Sequence, residues 1–547
     1  MHPKTAVRWL IAVMIATLAF KIAISFLPVE FLLTKTIDED AFYYFMLSQN
    51  IASGNGATFD RVNPTNGFQP LWTWMLVPLY WIFPAFSLQA VTLSLVVLMI
   101  FSVATSYFVF RIVEKYTNSS AGLVAGLFWL LNPFVFFIGL NGMETAMAGW
   151  FFGLLIFVYV NLRKGVFEMK DYFLIGITAA LAIYSRFDAV LLFIVILFDM
   201  MVAQTGNIAE KFKPAFFTGI IVTLLILPWF VWNYVNFDTI RQVSSVAIPF
   251  QHHQWFLEEY GSYLSGAFVW REVSYASIAA GIAFMISGFG GLLPFGMVRY
   301  SYYFSSLSSI LVWGGIGLII LLFIIKTGGK FKGFYAKIKS LNFLLVFSLL
   351  IFLYYPLYHW YLPMRYFYPL LIVISIYFGL LFYYLSWVAL KKYHYRTIAL
   401  GFLGVLVLLS FVQSGREFWS FGRSPWHKEF LDDASWIKAN TPPDAVIGAF
   451  NAGILGYFSG RRVVNLDGVI NNNAFEAMKG ERLGEFMLEQ NISYLSDHQH
   501  SVDIFSTFYG KEWGKEHLRL ERQIPGTFHG DNPRVIYRVL QNATLKY

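Results

Sequence analysis

Windows of about 20 apolar residues recur along the first 414 positions, too many for a soluble fold to bury, so the chain reads as a polytopic α-helical membrane protein. About eleven spans are expected, at 7–27, 88–110, 121–140, 144–161, 172–185, 187–204, 214–233, 304–326, 341–357, 364–390 and 397–414. The chain is 57% hydrophobic and only 13% charged, against about 25% charged in an ordinary soluble domain. The first run lacks a small-residue cleavage site and reads as an anchor, not a removed signal. With no cysteine in 547 residues, disulfides, thiolate metal sites and cysteine nucleophiles are excluded.

The formal charge of +8 needs no nucleic-acid partner. Every second loop between spans carries the Lys/Arg load, from Arg111 and Lys115 through Lys330, Lys332 and Lys337 to Lys391, Lys392 and Arg396. Basic loops face the cytoplasm, so the N-terminus is expected inside and the C-terminus outside. Residues 28–87 then form a long outer loop. Within it, 40–52 is an aromatic helix candidate ending at "SGNG", and "FQPLWTWMLVPLYWIFP" (68–84) is apolar but broken by proline. Both are expected as interfacial helices along the outer leaflet, and the stretch about 275–297 is treated the same way.

After residue 414 the pattern changes. "PWHKEFLDDASWIKANTPP" predicts a helix with an apolar face at Phe430, Leu431, Ala434 and Ile437, stopped by Pro442 and Pro443. "AVIGAF", "RRVVNLD", "ISYLSD" and "RVIYRVL" are short β-type runs. The expected division is a transmembrane domain, 1–414, and an extracytoplasmic α/β domain, 415–547.

Four polar constellations stand out at the expected outer ends of the spans. "TIDEDAFYYF" holds Asp38, Glu39 and Asp40 side by side. Adjacent carboxylates at a bilayer edge repel one another and raise at least one pKa. Such a group suits proton abstraction from a hydroxyl; the plain alternative is a solvated turn. "GLNGMETAM" places Glu144 at the start of a span, where it is a second site acid or a helix cap favoured by the dipole. "YSRFDAV" offers Arg186 to a phosphate, or else a local Arg186–Asp188 pair. "LYHWYLPMRYFYPLL" puts His359 and Arg365 among aromatics, as a phosphate site or as an aromatic belt with a snorkelling arginine. No Walker loop or HExxH pairing is present, so an enzyme here needs an activated donor that is itself in the membrane.

The stretch "DEDAFYYFMLSQNIASGNGATFDRVNPTNGFQPLW" resembles the first outer loop of GT-C fold glycosyltransferases, among them the protein O-mannosyltransferases, the lipid A aminoarabinose transferases and the arabinofuranosyltransferases. The likeness covers about residues 1–240 and then "RYFYP". "ASWIKANTPPDAVIGAFNAGILGYFSGRRVVNLDG" is similar to an outer domain appended to many such chains. The resemblance implies a multi-pass enzyme of the plasma membrane. It would take a polyprenyl-phosphate sugar donor and pass the sugar, with inversion, to a hydroxyl on a glycan, lipid or protein acceptor. By position Glu39 or Asp40 matches the family's catalytic carboxylate, and Asp38 stands beside them. Glu144 matches a second acid. Gln69 stands where relatives carry Lys or His near the donor phosphate, which leaves the phosphate to Arg186 or Arg365. Two or three carboxylates can accept a divalent cation but do not by themselves make a metal site. The competing readings are a transporter or flippase of lipid-linked sugars and a non-catalytic scaffold of the cell envelope. The first would show charged or broken mid-span segments, which this sequence lacks.

Overall fold

The first apolar run folds as α1 (Pro3–Ser25), opening on Pro3, where a missing N–H leaves nothing unsatisfied. In the computed structural model, residues 2–163, 166–260, 328–358, 364–389, 401, 412, 424–510, 512–526 and 532–541 are described. A short α2 (Val29–Lys35) leads through the acidic triplet into α3 (Ala41–Ala52). An irregular stretch and α4 (Pro70–Ile82) follow. The bundle continues with α5 (Leu88–Tyr116), α6 (Ser119–Leu130), α7 (Pro133–Ile138), α8 (Thr145–Leu162), α9 (Met169–Ser185), α10 (Ala189–Ala203), α11 (Ile208–Phe237) and α12 (Val243–Tyr260). Helices Gly328–Ile338, Asn342–Tyr358 and Tyr368–Tyr383 complete its described part.

Side-chain caps set many of these starts. The Ser87 hydroxyl accepts from the Ala90 N–H, Asn118 from Ala121, and Asn207 forms a capping box with Glu210. Among the described residues six helices are long and apolar enough to cross a membrane: α1, α5, α8, α11, Gly328–Tyr355 and Arg365–Trp387. The expected spans 304–326 and 397–414, and the stretch 275–297, fall wholly or almost wholly outside the described residues. The expected span 121–140 is broken. Asn132 accepts the N–H groups of Phe134 and Val135 and starts α7 separately from α6.

The two helices of the first loop are found, at 12 and 13 residues, but α3 does not lie along a lipid surface as expected. Ten of its twelve residues are buried. One side packs on α4, the other on helix Gly453–Phe458 of the C-terminal part, where Phe42 meets Tyr457 at 5.2 Å and Phe458 at 5.4 Å. Only α4 presents large apolar side chains outward, among them Trp74, Trp81 and Ile82.

The C-terminal part is built on a five-stranded mixed sheet. Its strands are β1 (Val446–Ala449), β2 (Arg462–Asn465), β3 (Ile492–His498), β4 (Leu518–Ile524) and β5 (Arg534–Val539). The order is β2-β1-β3-β5-β4. β1 runs parallel to β2 and β3, while β5 is antiparallel to β3 and β4. Four strands coincide with the expected β-type runs; β4 does not stand out in the sequence. Helix His427–Asn440 buries Phe430, Ala434 and Ile437, as its periodicity predicts, and leaves Leu431, expected on the same face, half-buried.

This α/β part is bolted to the first loop. The His427 ring nitrogen Nδ1 donates to the backbone oxygens of Leu33 and Ile37, at 3.1 and 3.2 Å. Arg462 meets Asp60 at 3.1 Å. Asn66 exchanges two bonds with Asn472, at 3.3 and 3.1 Å, and also donates to Asn233 Oδ1 and the Arg241 carbonyl. A Cβ on Gly67 would stand 2.0 Å from the Val469 carbonyl oxygen, so glycine permits this approach.

Candidate functional site

The polar ends of the helices converge. Asp40 precedes α3, Glu144 precedes α8, Arg186 follows α9, Asp188 precedes α10, and Arg365 sits in the short turn Met364–Phe367 before the next span. With Asp38, two residues before Asp40, four carboxylates and two guanidinium groups thus meet at one end of the bundle. Burying so many charges is tolerable only if they pair.

They pair in two groups. Arg365 Nη2 lies 2.6 Å from Asp40 Oδ2, and Nη1 lies 3.8 Å from Asp38 Oδ2. The latter oxygen also accepts from Asn141 Nδ2 at 3.1 Å. Arg186 Nη1 donates to Glu144 Oε1 at 2.9 Å and Nη2 to Asp188 Oδ2 at 3.0 Å, while the Tyr355 hydroxyl donates to Asp188. Tyr366 joins the groups. Its ring lies 5.1 Å from the Arg186 guanidinium carbon and 5.7 Å from that of Arg365, and it stacks on Tyr355 at 4.9 Å.

A cavity of about 420 Å³ opens onto both groups. Asp40, Glu144, Arg186, Arg365 and Gln69 line it. Glu144 stands at the N-cap position of α8 but makes no capping bond; it turns to Arg186 instead. Its carboxylate also accepts from the Tyr44 hydroxyl, which itself accepts the Gln69 backbone N–H at 3.4 Å; Gln69 Oε1 is buried with no hydrogen-bond partner. A buried acceptor without a donor at the cavity calls for a hydroxyl-bearing or water ligand. Asp38 sits behind the wall, held by Asn141 and Arg365.

Glu39 turns the other way. Its Oε1 accepts the Gly453 N–H of the C-terminal part, and burial together with the neighbouring Asp40 raises its pKa well above the carboxylate range. The local pair Arg186–Asp188 is present, and the same guanidinium also reaches Glu144. His359 lies outside the described residues. Among those described, no group of three or more His, Cys, Asp or Glu side chains is arranged to hold a metal ion.

Several lining residues escape the sequence reading. Gln251 and His252 reach the cavity from α12, and burial pushes His252 down to about 4. Phe450, Asn451, Asp467, Ser501 and Phe505 form its roof from the α/β part. Burial raises the Asp467 carboxyl to about 7. Its only sequence signal is the turn "NLDG", in which Gly468 has a φ of +75°. A second, apolar cavity of about 610 Å³ is lined by Phe68, Leu71, Trp74, Tyr184, Trp229 and Trp232. Phe68 belongs to both.

These features define a multi-pass membrane protein with the GT-C glycosyltransferase fold. Residues 66–232 match the family described as dolichyl-phosphate-mannose-protein mannosyltransferase, and residues 427–537 match a domain of unknown function, DUF8728. No curated protein matches the chain. Among solved structures, ArnT from Cupriavidus metallidurans bound to undecaprenyl phosphate superposes with a TM-score of 0.56 at 11% identity, covering 98% of each chain. The Archaeoglobus fulgidus oligosaccharyltransferase AglB, in complex with an inhibitory peptide and a dolichol-phosphate, gives 0.58 at 14% identity over 94% of this chain and 72% of that one. The same oligosaccharyltransferase tethered to an acceptor peptide gives 0.56 at 14%, over 96% and 74%. At these identities the likeness carries the fold. The match over 66–232 falls inside the stretch, about residues 1–240, over which the sequence resembles GT-C enzymes.

Proposed function

We propose that this chain transfers a sugar from a polyprenyl-phosphate donor to an acceptor hydroxyl, with inversion, on the outer face of the plasma membrane. One observation carries the reading. An arginine-held carboxylate, Asp40, lines a polar cavity that shares Phe68 with an aromatic cavity suited to an isoprenoid chain. The carriers named in the structures of ArnT and AglB, undecaprenyl phosphate and dolichol-phosphate, have this bipartite chemistry. The alternating Lys/Arg loops support the orientation, with the N-terminus in the cytoplasm and the α/β domain, residues 415–547, outside.

In this mechanism Asp40 accepts the acceptor's hydroxyl proton. The freed oxygen pair forms the bond to the anomeric carbon from the face opposite the phosphate. The bond from that carbon to the phosphate oxygen breaks with its electron pair, through an oxocarbenium-like state, and inverts the configuration. The phosphate leaves as an anion and needs no proton. Arg365 and Arg186, at the same cavity, offset its growing charge, and Glu144 holds Arg186 in place.

The test is turnover of a panel of polyprenyl-phosphate sugars (mannose, glucose, galactose, arabinose, aminoarabinose) by the purified full chain, with products read by mass spectrometry. Consumption of one donor with an inverted glycoside as product is expected. A monodisperse, folded protein that consumes none overturns the proposal.

A further inference from the structure

The roof of the polar cavity has no part in the displacement just described, yet it is chemically furnished. Asn451, Asp467 and Ser501 stand on it and line the same cavity as Asp40. Asp497 fixes Asn451. Its Oδ2 accepts the Phe450 and Asn451 backbone N–H groups at 3.0 and 2.8 Å, and its Oδ1 accepts Asn451 Nδ2 at 2.9 Å. With its amide nitrogen bound, Asn451 keeps its carbonyl oxygen for a ligand. The Val469 N–H holds Asp467 Oδ1 at 2.9 Å, which fixes that carboxyl at the turn. Beside these groups Phe450 and Phe505, stacked on each other at 4.2 Å with their planes 10° apart, add apolar ring surface to the lining. The same cavity is lined by Gln69, whose Oε1 is buried with no hydrogen-bond partner and is a further acceptor.

Several oxygen acceptors in one cavity, beside aromatic rings, match a molecule with hydroxyls around its rim and an apolar C–H frame. A lone alcohol on a lipid would use one such group and leave the rest unpaired, a costly arrangement. We propose that Asp467 and Asn451 are specificity-determining residues of an acceptor subsite, and that the acceptor is a saccharide bound by at least two hydroxyls between the α/β roof and Asp40. This rests on the glycosyl-transfer reading above and names its acceptor class.

The test uses the full chain in nanodiscs and three surrogate acceptors: methyl α-mannopyranoside, a serine-containing hexapeptide and a long-chain alcohol. Binding is read by saturation-transfer NMR, separately from donor consumption. Asp467→Asn keeps an oxygen for the Val469 N–H. Ile504 also lines the roof, and Ile504→Trp fills it without removing a polar group. Loss of one or two hydrogen bonds is expected to weaken glycoside binding, and to raise its KM, by about tenfold or more in Asp467→Asn and Asn451→Ala, with the donor KM moving less than about twofold. Ile504→Trp is expected to abolish the glycoside signal. Glycoside binding unchanged in all three variants, or preferred use of the peptide or the alcohol with no dependence on Asp467, overturns the proposal. If the wild type consumes no donor, the transfer reading fails; Asp467-dependent glycoside binding would then still support a saccharide site.

Discussion

Asp40 and Glu39 are adjacent in sequence and differ in what surrounds them. Asp40 faces the cavity with a guanidinium at 2.6 Å, while Glu39 is turned into the contact with Gly453. Asp40→Asn is therefore expected to lower kcat by about 10²–10⁴-fold, the range for a lost general base. Glu39→Gln retains an oxygen for the Gly453 N–H and is expected to stay within about tenfold of wild type. Steady-state transfer assays on the two amides distinguish them, and the reverse order would move the base to Glu39. The sequence shows that the triplet matters but leaves its members equivalent. Their division of labour is written by Arg365 and Gly453, more than three hundred residues downstream. Asp467 gives a second prediction at this scale. Its carboxyl rises from 3.8 to about 7 on folding. A raised acid favours the folded state while protonated, so its contribution is whole below about 4 and fades as pH climbs through about 7. The melting temperature of the wild type should fall relative to Asp467→Asn between about pH 4 and pH 7. Parallel curves would remove the shift.

At the level of elements, α3 shows what periodicity can and cannot reveal. "AFYYFMLSQN" is apolar nearly all round, the pattern of a helix covered on every side. Its length and its stop at Ser53–Gly54 are legible in the sequence. Its burial is not, because the covering surface, helix Gly453–Phe458, comes from some four hundred residues away. The break between α6 and α7 was available, since Asn132-Pro133 is a strong cap-and-start pair. The hydropathy of 121–140 hid it. The stretch "NPTNGF" carries no chemistry of its own; it locks α11, α12 and the roof together through Asn66 and Gly67. Gly67→Ala must push the Val469 carbonyl out of a 2.0 Å contact. The expected cost is about 1–3 kcal/mol, read as a lower melting temperature and faster protease cleavage between roof and bundle. An unchanged melting temperature would mean the approach is looser than described.

Across the whole molecule, the α/β part can be viewed as an accessory carried by a self-sufficient bundle or as half of the working structure. The interface favours the second view. Phe42, Tyr43 and Phe45 of α3 are buried together with Tyr457 in the main hydrophobic core, which also takes in Phe430, Ala434 and Ile437 of the helix that leads into the sheet. Removing the α/β part would expose this apolar face, strip Glu39 of its Gly453 partner and leave Asp60 without Arg462. Uncovering that much surface costs more than the few kcal/mol by which a typical fold is stable. A chain ending at residue 423 is therefore expected to lose donor consumption as well as transfer, and to aggregate in mild detergent, whereas an accessory domain would take only acceptor use with it. Size-exclusion profiles and donor hydrolysis of the truncated and full chains separate the two cases. A monodisperse truncated protein that still cleaves a polyprenyl-phosphate sugar would return the roof to the role of an appendage.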